Sequence, residues 1–200
     1  MIARQTSDHD LLVRCLEEPA AFEEVFDRHF GAIHRYVARR LSPACADDVA
    51  AQVFCLAYDK RRQFAEQRPD CPLAPWLFGI ATNLVRRHRR DERRQLRAYA
   101  RVGVEAAAPD SPDESAARLD ARRARPAVAR ALAALSQDER DVLLLYALAD
   151  LDYQGIAEAL EIPVGTVRSR LSRARTRARR HLGGEAEHLT PTAAAGTEGR

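Results

Sequence analysis

A stretch rich in arginine near the end of the sequence could bind nucleic acid through side-chain hydrogen bonds. Seven arginines and no acidic residue lie between Val164 and His181. Guanidinium and hydroxyl groups of this kind bond guanine edges and phosphate oxygens. The pattern predicts a basic recognition helix; the alternative is a solvated basic face on an ordinary bundle helix. Apolar residues recur in this stretch at the spacing of one helix face, and they are Val167, Leu171, Ala174 and Ala178.

A shorter helix and a turn precede this basic helix. Ile156, Ala157 and Leu160 fall on one helix face, and Pro163 cannot continue the helix. We therefore expect the turn at Glu161–Val164. A short helix, a turn and a basic helix in this order are typical of a helix-turn-helix that enters the major groove of DNA. The residues expected to contact DNA lie on the outer face of the second helix: Gly165, Thr166, Arg168, Ser169, Ser172 and Arg173.

A second basic tract lies near the middle of the chain. The segment Asn83–Arg101 holds eight arginines against two acidic residues, a net charge of +6, and Val164–His181 carries +7. Because the whole 200-residue chain carries only +3, the remaining residues carry about −10. Two compact basic tracts on an acidic background predict two separate contacts with nucleic acid.

The first half of the chain shows the periodicity of three helices. The first spans Ala21–Leu41, and Ser42-Pro43 ends it. The second runs from about Ala46 to Arg61, with two acids in its first turn, where the helix dipole favours them. A loop follows at Phe64–Pro75, and the third helix continues into the first basic tract. The inward residues, helix by helix, are Phe22, Phe26, Phe30, Ile33, Val37 and Leu41; Val49, Val53, Leu56 and Lys60; and Trp76, Leu77, Ile80, Leu84 and Val85.

The second half begins with a segment that cannot form a core. Gly103–Ser115 is alanine, proline and acid without an apolar stripe, which predicts a flexible linker. Pro126 is expected to open the next helix. Ser136–Glu139 has the pattern of a capping box that starts another. The inward residues of these two helices are Val128, Ala131, Leu132 and Leu135, then Val142, Leu143, Leu145 and Tyr146.

These elements predict an all-α protein of two small helical domains joined by a flexible linker. We expect an N-terminal segment at 1–20, a first domain at 21–98, an acidic linker at 99–125, a second domain at 126–183 and a disordered tail at 184–200.

The sequence lacks the patterns of catalytic and metal sites. There is no glycine-rich phosphate loop, nucleophile elbow, metal-ligand cluster or apolar pair of carboxylates, so we expect no enzyme, no cofactor and no metal. No long apolar run predicts a membrane span or a signal peptide, which makes the cytoplasm the default location. Reduced and mostly buried thiols are expected for the four cysteines, Cys15, Cys45, Cys55 and Cys71.

Four motifs in this order resemble the extracytoplasmic-function sigma factors of bacterial RNA polymerase. The motifs are Phe22–Phe26, Ala46–Val49 with Val53-Phe54, Trp76–Leu84, and Ile162–Leu171. The resemblance covers about residues 21–97 and 126–182. The sequence departs from the family at two places. Ala51-Gln52 stands where a Gln-Glu or Gln-Asp pair is usual, and Gly155 stands where an acid is usual.

The resemblance implies a sigma factor that binds core RNA polymerase and directs initiation through the −10 and −35 promoter elements. The helix of Asp47, Asp48 and Gln52 would dock on the coiled coil of the largest polymerase subunit, although helix capping also accounts for the two acids. The loop Phe64–Pro75 would capture a base flipped out of the −10 element. The opened strand would be held by Asn83, Arg86, Arg87 and Arg90.

The helix-turn-helix would read the −35 element in this family. The linker would either thread the channels of the polymerase or act as a plain spacer. An anti-sigma factor is a further partner that the resemblance allows, and no membrane insertion is implied. The phase of Trp76 with Ile80 and Leu84 favours core packing over a stacking platform for a base. A free-standing helix-turn-helix regulator is the alternative function.

Overall fold

The computed structural model describes residues 8–68, 71–102 and 127–182. The elements within these residues are helices, which confirms the predicted all-α class. They are α1 (Asp8–Glu17), a 3₁₀ turn (Pro19–Ala21), α2 (Phe22–Ala38), α3 (Pro43–Gln67), α4 (Leu73–Val102), α5 (127–133), α6 (Gln137–Leu148), α7 (Tyr153–Leu160) and α8 (Val164–Leu182).

The chain divides into two compact units. The first comprises Met1–Asp110 with Leu144–Arg168, and the second comprises Ser111–Leu143 with Ser169–Arg200. The predicted tail at 184–200 and the greater part of the predicted linker lie outside the described residues. The first residues of that linker, up to Val102, continue α4. The domain boundaries drawn from the sequence stay a prediction.

The helix α1 was not expected from the sequence, which indicated only an N-terminal segment there. Its apolar side chains Leu11, Leu12 and Cys15 are fully buried where it packs on α2 and α3. Asp8 accepts a hydrogen bond of 2.7 Å from Arg28 on α2. The neighbouring His29 and Arg28 hold the pKa of Asp8 down at about 2 against the opposing effect of burial. A helix this short carries too few apolar positions to establish a period, and tertiary packing forms it.

The inner face of α2 differs from the predicted one. Phe22, Ile33 and Val37 are buried as expected. Phe26, however, is 37% exposed, and Phe30 is half-buried. These two rings stack on each other with 4.6 Å between centroids, although buried residues of α2 lie both before and after them.

The helix α3 is longer at both ends than predicted. Ser42 is its N-cap and Pro43 its first residue, so the Ser-Pro pair starts α3 after α2 has already ended. The helix continues to Gln67, which reduces the predicted loop Phe64–Pro75 to residues 68–72. The expectation that Lys60 faces inward was wrong, and Leu56 is only half-buried. Small residues extend the buried stripe, which comprises Ala46, Val49, Ala50, Val53, Phe54, Ala57 and Phe64.

The helix α4 packs along α3 by its first half. Trp76 stacks on Phe64 with ring centroids 4.1 Å apart, as expected of a packing residue. Ile80 is half-buried. The buried residues of this half include Leu73, Leu77, Phe78, Ala81, Leu84 and Val85.

The capping box before α6 is confirmed. The Ser136 N–H donates to Glu139 Oε2 at 3.1 Å, and the Glu139 N–H donates to Ser136 Oγ at 3.3 Å. In α5, Ala131 is buried as expected. The inward assignment of Val128 was wrong, because this residue is 40% exposed and lies one helical turn before the packed surface begins.

Candidate nucleic-acid interface

The helix-turn-helix is held by local hydrogen bonds at both ends of α7. Asp152 caps its start, accepting a hydrogen bond of 2.7 Å from the Gly155 N–H. Glu161 ends it in the left-handed region with φ 55°, and the Ile162 N–H donates to the Ala157 carbonyl at 3.0 Å. The helix α8 then begins at Val164. The predicted turn at Glu161–Val164 is therefore confirmed.

The helix α8 presents the predicted face outwards. Val167, Leu171 and Ala174 are buried on its inner side. Opposite them, the backbone and side chains of the predicted contact residues are open to a ligand. Thr166 is half-buried, and the others are exposed: Gly165, Arg168, Ser169, Ser172 and Arg173.

Two of the seven arginines of the tract are engaged by α6 within the second unit. Arg170 lies 2.8 Å from Asp138, and Arg177 lies 2.8 Å from the buried Glu139. Burial opposes the ionisation of Glu139, but hydrogen bonds from Ser136 and the charge of Arg177 outweigh it and lower its pKa. These contacts reduce the net charge that α8 offers to DNA.

The first basic tract lies along the outer half of α4. Asn83, Arg87 and Arg90 are exposed at the spacing of one helix face, and Arg86 beside them is half-buried. Arg87 Nε is 3.9 Å from a carboxylate oxygen of Asp91 on the same helix. The four residues expected to hold an opened strand are therefore brought onto one side of α4.

The three predicted polymerase contacts are exposed together on α3. Asp47 has 83% of its side chain exposed, with one oxygen 2.8 Å from His34 Nε2. Asp48 and Gln52 are exposed beside it. The predicted place of the acids in the first turn was wrong, because the helix begins at Pro43. Since the helix dipole acts mainly within the first turn, capping does not account for them.

An aromatic group adjoins these acids. His34 stacks on Phe30 at 5.6 Å between centroids, and Phe30 stacks on the exposed Phe26. Phe26 also contacts Phe54 of α3 edge-on at 4.9 Å. Acidic residues beside partly exposed rings form a surface suited to a basic protein partner.

The described residues show neither a metal site nor a membrane span. They contain no cluster of three or more histidine, cysteine or acidic side chains suited to a metal. No helix among them is long and apolar enough to cross a membrane. All four cysteines are free thiols, but only Cys15 is buried; Cys55 is exposed on α3. The expectation of mostly buried thiols was wrong, because three of the four lie on outer faces or in the short loop.

Contacts missed by sequence reasoning join Arg68 and Cys71 to α7 and its C-cap residue. Arg68 lies 2.7 Å from Glu161, and the Cys71 thiol lies 3.5 Å from a carboxylate oxygen of Glu158. The one signal in the sequence was Gly155, an unexplained departure from the family pattern, and no local pattern indicates what it packs against.

Comparison with known proteins gives matches over most of the chain. The family described as "Sigma-70, region 4" matches residues 125–182. The "ECF RNA polymerase sigma factor SigL" of Mycobacterium tuberculosis is 32% identical over 159 residues, which are 77% of this chain and 84% of that protein. The "Probable RNA polymerase sigma factor RfaY" of Xanthomonas campestris is 33% identical over 141 residues, 70% of this chain. The match spans only 34% of the RfaY protein.

A solved structure shares the fold. The sigma factor RpoE of Bartonella quintana, in complex with the anti-sigma factor NepR, superposes with a TM-score of 0.59 and 24% identity, covering 80% of this chain and 96% of that one. At this identity the likeness concerns the arrangement of the helices.

Proposed function

The chain belongs to the extracytoplasmic-function sigma factors of the sigma-70 family, and we propose that three of its surfaces divide the work of transcription initiation. It is an RNA polymerase sigma factor. The observation that carries the division is the capped helix-turn-helix, whose arginine-bearing face is exposed while its apolar stripe is buried.

The −35 surface is the outer face of α8, and it comprises Gly165, Thr166, Arg168, Ser169, Ser172 and Arg173. A Cβ at Gly165 would point into open space, and the glycine that stands there lets the DNA backbone approach closely. Arg168 and Arg173 are one helical turn or more apart on this face and suit guanine edges in a major groove.

The −10 surface comprises Asn83, Arg86, Arg87 and Arg90 on α4, with the loop at 68–72 at the other end of that helix. The exposed amide and guanidinium groups suit the phosphates and base edges of an opened strand. A flipped base needs a shaped pocket that offsets a few kcal/mol of unstacking. The stacked rings of Phe64 and Trp76 flank this segment in the chain and support the role.

The docking surface comprises Asp47, Asp48 and Gln52 on α3, and we propose that it binds the coiled coil of the largest polymerase subunit. Asp47 contacts His34, which stacks on Phe30 and through it on Phe26, so charge can steer a basic partner while apolar contact holds it. Gln52 stands where the family usually has a Glu or Asp, so this surface carries one carboxylate fewer.

Further parts of the proposal concern partners, chemistry and location. We propose promoter DNA and core polymerase as partners, and an anti-sigma factor as a third, in keeping with the complex seen for the Bartonella protein. The chain acts without a catalytic centre, cofactor or metal of its own, and its place is the cytoplasm. A free-standing regulator is the less favoured alternative, since it does not explain a second exposed basic tract on α4.

In vitro transcription on fragmented genomic DNA of the host tests the proposal. With core polymerase and this protein we expect discrete start sites that share upstream −10 and −35 elements. The paired change Arg168→Ala and Arg173→Ala should remove most of these transcripts. The control pair is Arg35→Ala with Arg39→Ala, which changes two exposed arginines in α2 and at its end. This control should leave the transcripts unchanged. Start sites no different from those of core polymerase alone would contradict the proposal.

A further inference from the structure

Three arginines of α8 lie along one edge of the helix, and acids of α6 hold the outer two. Arg170, Arg173 and Arg177 are spaced by three and four residues, so they are neighbours on the helix surface. Arg170 lies 2.8 Å from Asp138, and Arg177 lies 2.8 Å from Glu139. The middle arginine, Arg173, is exposed and belongs to the proposed −35 surface.

The carboxylate of Glu139 requires a positive charge beside it. Glu139 is only 4% exposed, and its Oε2 accepts hydrogen bonds from the Ser136 N–H at 3.1 Å and from Arg177 at 2.8 Å. Burial opposes its ionisation, whereas the hydrogen bonds from Ser136 lower its pKa, and the charges of Arg177 and then Arg173 lower this pKa further. A buried carboxylate that loses its paired cation is left uncompensated. Loss of Arg177 would therefore make Glu139 attract another cation.

Arg173 is well placed to be that cation. It lies one helical turn before Arg177 on the same edge of α8, and its charge already acts on Glu139. In the structure its Nε donates to the Ser169 carbonyl at 3.3 Å, which holds the guanidinium along its own helix. A guanidinium that is bound to a carboxylate cannot also make a bidentate contact with a guanine edge. Capture by Glu139 would therefore cost Arg173 its base contact.

We propose that Arg170 and Arg177 are positioning residues for Arg173: they occupy the two acids of α6 that would otherwise bind it, and so leave it to DNA. The inference rests on the proposed −35 surface. In this role the two arginines determine which bases are read, although neither contacts a base.

Three possible roles of Arg177 have different consequences. If Arg177 bound phosphate, its loss would weaken all promoters equally and reduce the salt dependence of binding. If it only linked α8 to α6, its loss would do the same harm whether residue 139 is charged or neutral. If it positions Arg173, its loss acts through the Glu139 carboxylate, and neutralising that carboxylate cancels the effect.

The test compares Arg177→Ala, Glu139→Gln and the double variant, each as the full chain with core polymerase. Glutamine keeps an oxygen that can accept the Ser136 N–H but carries no charge to attract a guanidinium. The −35 preference is the ratio of transcripts from the best −35 element to those from its single-base variants in a promoter library. Circular dichroism identifies a temperature at which all the proteins are folded.

We expect Arg177→Ala to lower this ratio about five-fold or more, at the one or two positions that Arg173→Ala also affects. Glu139→Gln alone should keep the preference of the wild type, and the double variant should regain it to within about two-fold. In an Arg173→Ala background, Arg177→Ala should cause no further loss of preference.

A second cycle uses the other pair, Arg170→Ala with Asp138→Asn as the change that cancels it. It decides alone if Arg177→Ala does not fold. The matched control is Arg179→Ala, which removes an exposed arginine two residues beyond Arg177 on the same helix. This control should weaken all promoters equally, and Glu139→Gln should not cancel its effect.

Recovery of the preference when the acid is neutralised, in each cycle whose variants fold, supports the proposal. An unchanged preference in either arginine variant, a uniform loss over all promoters, or a loss that persists when the acid is neutral would overturn it. Failure of the proposed function is distinguishable, because the wild-type holoenzyme would then show no −35 preference at all.

Discussion

At the scale of single residues, position along α8 separates side chains that read bases from side chains that add charge. Arg173 is exposed on the −35 surface, and its Nε donates to the Ser169 carbonyl at 3.3 Å, which orients the guanidinium. Arg179 is exposed two turns further on, where a straight helix is leaving the groove. The two arginines should therefore differ in what their loss does to promoter choice.

We predict that Arg173→Ala relaxes promoter preference at one or two −35 positions. A bidentate base contact is worth about 1–3 kcal/mol, so the best promoters should lose the most. Arg179→Ala should weaken all promoters equally and reduce the salt dependence of binding. A promoter-library readout with holoenzyme distinguishes the two. A uniform loss for Arg173→Ala, with altered −35 preference for Arg179→Ala, would mean that the helix is in a different phase on the DNA.

The capping box makes stability depend on the ionisation of Glu139. The folded pKa of Glu139 is below its ordinary value of 4.5, so the unfolded chain binds its proton first as the pH falls. Its contribution is present above pH 4.5 and is lost as the pH falls through the folded pKa. We predict that Glu139→Gln lowers the free energy of unfolding by about 1 kcal/mol at pH 7. The variant should also lose less stability than the wild type as the pH falls below 4.5. Urea unfolding at a series of pH values checks it, and an equally steep loss in the variant would contradict it.

At the scale of elements, the residue at which α3 begins decides whether Asp47 and Asp48 cap the helix or are available to a partner. Because Ser42 and Pro43 start the helix, Asp47 and Asp48 lie beyond its first turn. Neither acid therefore serves the helix end; both are exposed, and Asp47 contacts His34, which stacks on Phe30. An exposed aromatic ring such as Phe26, on the same surface as exposed acids, is typical of a face that binds a partner.

We predict that reversing both charges, Asp47→Lys with Asp48→Lys, weakens binding to core polymerase at least ten-fold and leaves helicity unchanged. Gln52→Glu should strengthen binding by restoring a carboxylate. Asp59→Lys reverses an exposed acid further along the same helix and is the control. Competition for fluorescent core polymerase measures all three. Equal binding of the double variant and the Asp59 variant would show that the docking surface lies elsewhere.

At the scale of the whole molecule, the two DNA-binding surfaces act as one promoter reader only if something sets their spacing. The stretch Gly103–Ser115 between α4 and α5 is rich in alanine, proline and acid, a composition that predicts no fixed distance. Core polymerase can supply that spacing and raise the effective concentration of the second contact once the first is made.

We predict that the free protein does not bind double-stranded promoters selectively, and that core polymerase confers the selectivity. Gel shifts with a mapped promoter and a scrambled one, each with and without core polymerase, measure this. The free protein should retain at most weak binding that falls steeply with salt and is equal for both DNAs. Tight and selective binding by the protein alone, equal to that with polymerase present, would favour a free-standing regulator.

Patterns between neighbouring residues were enough to predict the helical class and the orientation of several helices. The buried stripe of α8, the turn at Glu161–Val164 and the capping box of Ser136 and Glu139 all rest on interactions over four or five positions, which periodicity and residue type express directly. The sequence by itself therefore determined the helical class and the exposed arginine face.

Only the tertiary structure decided which distant residues meet. It formed α1 from three buried side chains, extended α3 to Gln67, and paired Arg170 and Arg177 with the acids of α6. It also placed Gly79 against Ala159, eighty positions along the chain. Contacts of this range depend on shape and on the fit of small residues between helices, and no local period in the sequence encodes which surfaces fit.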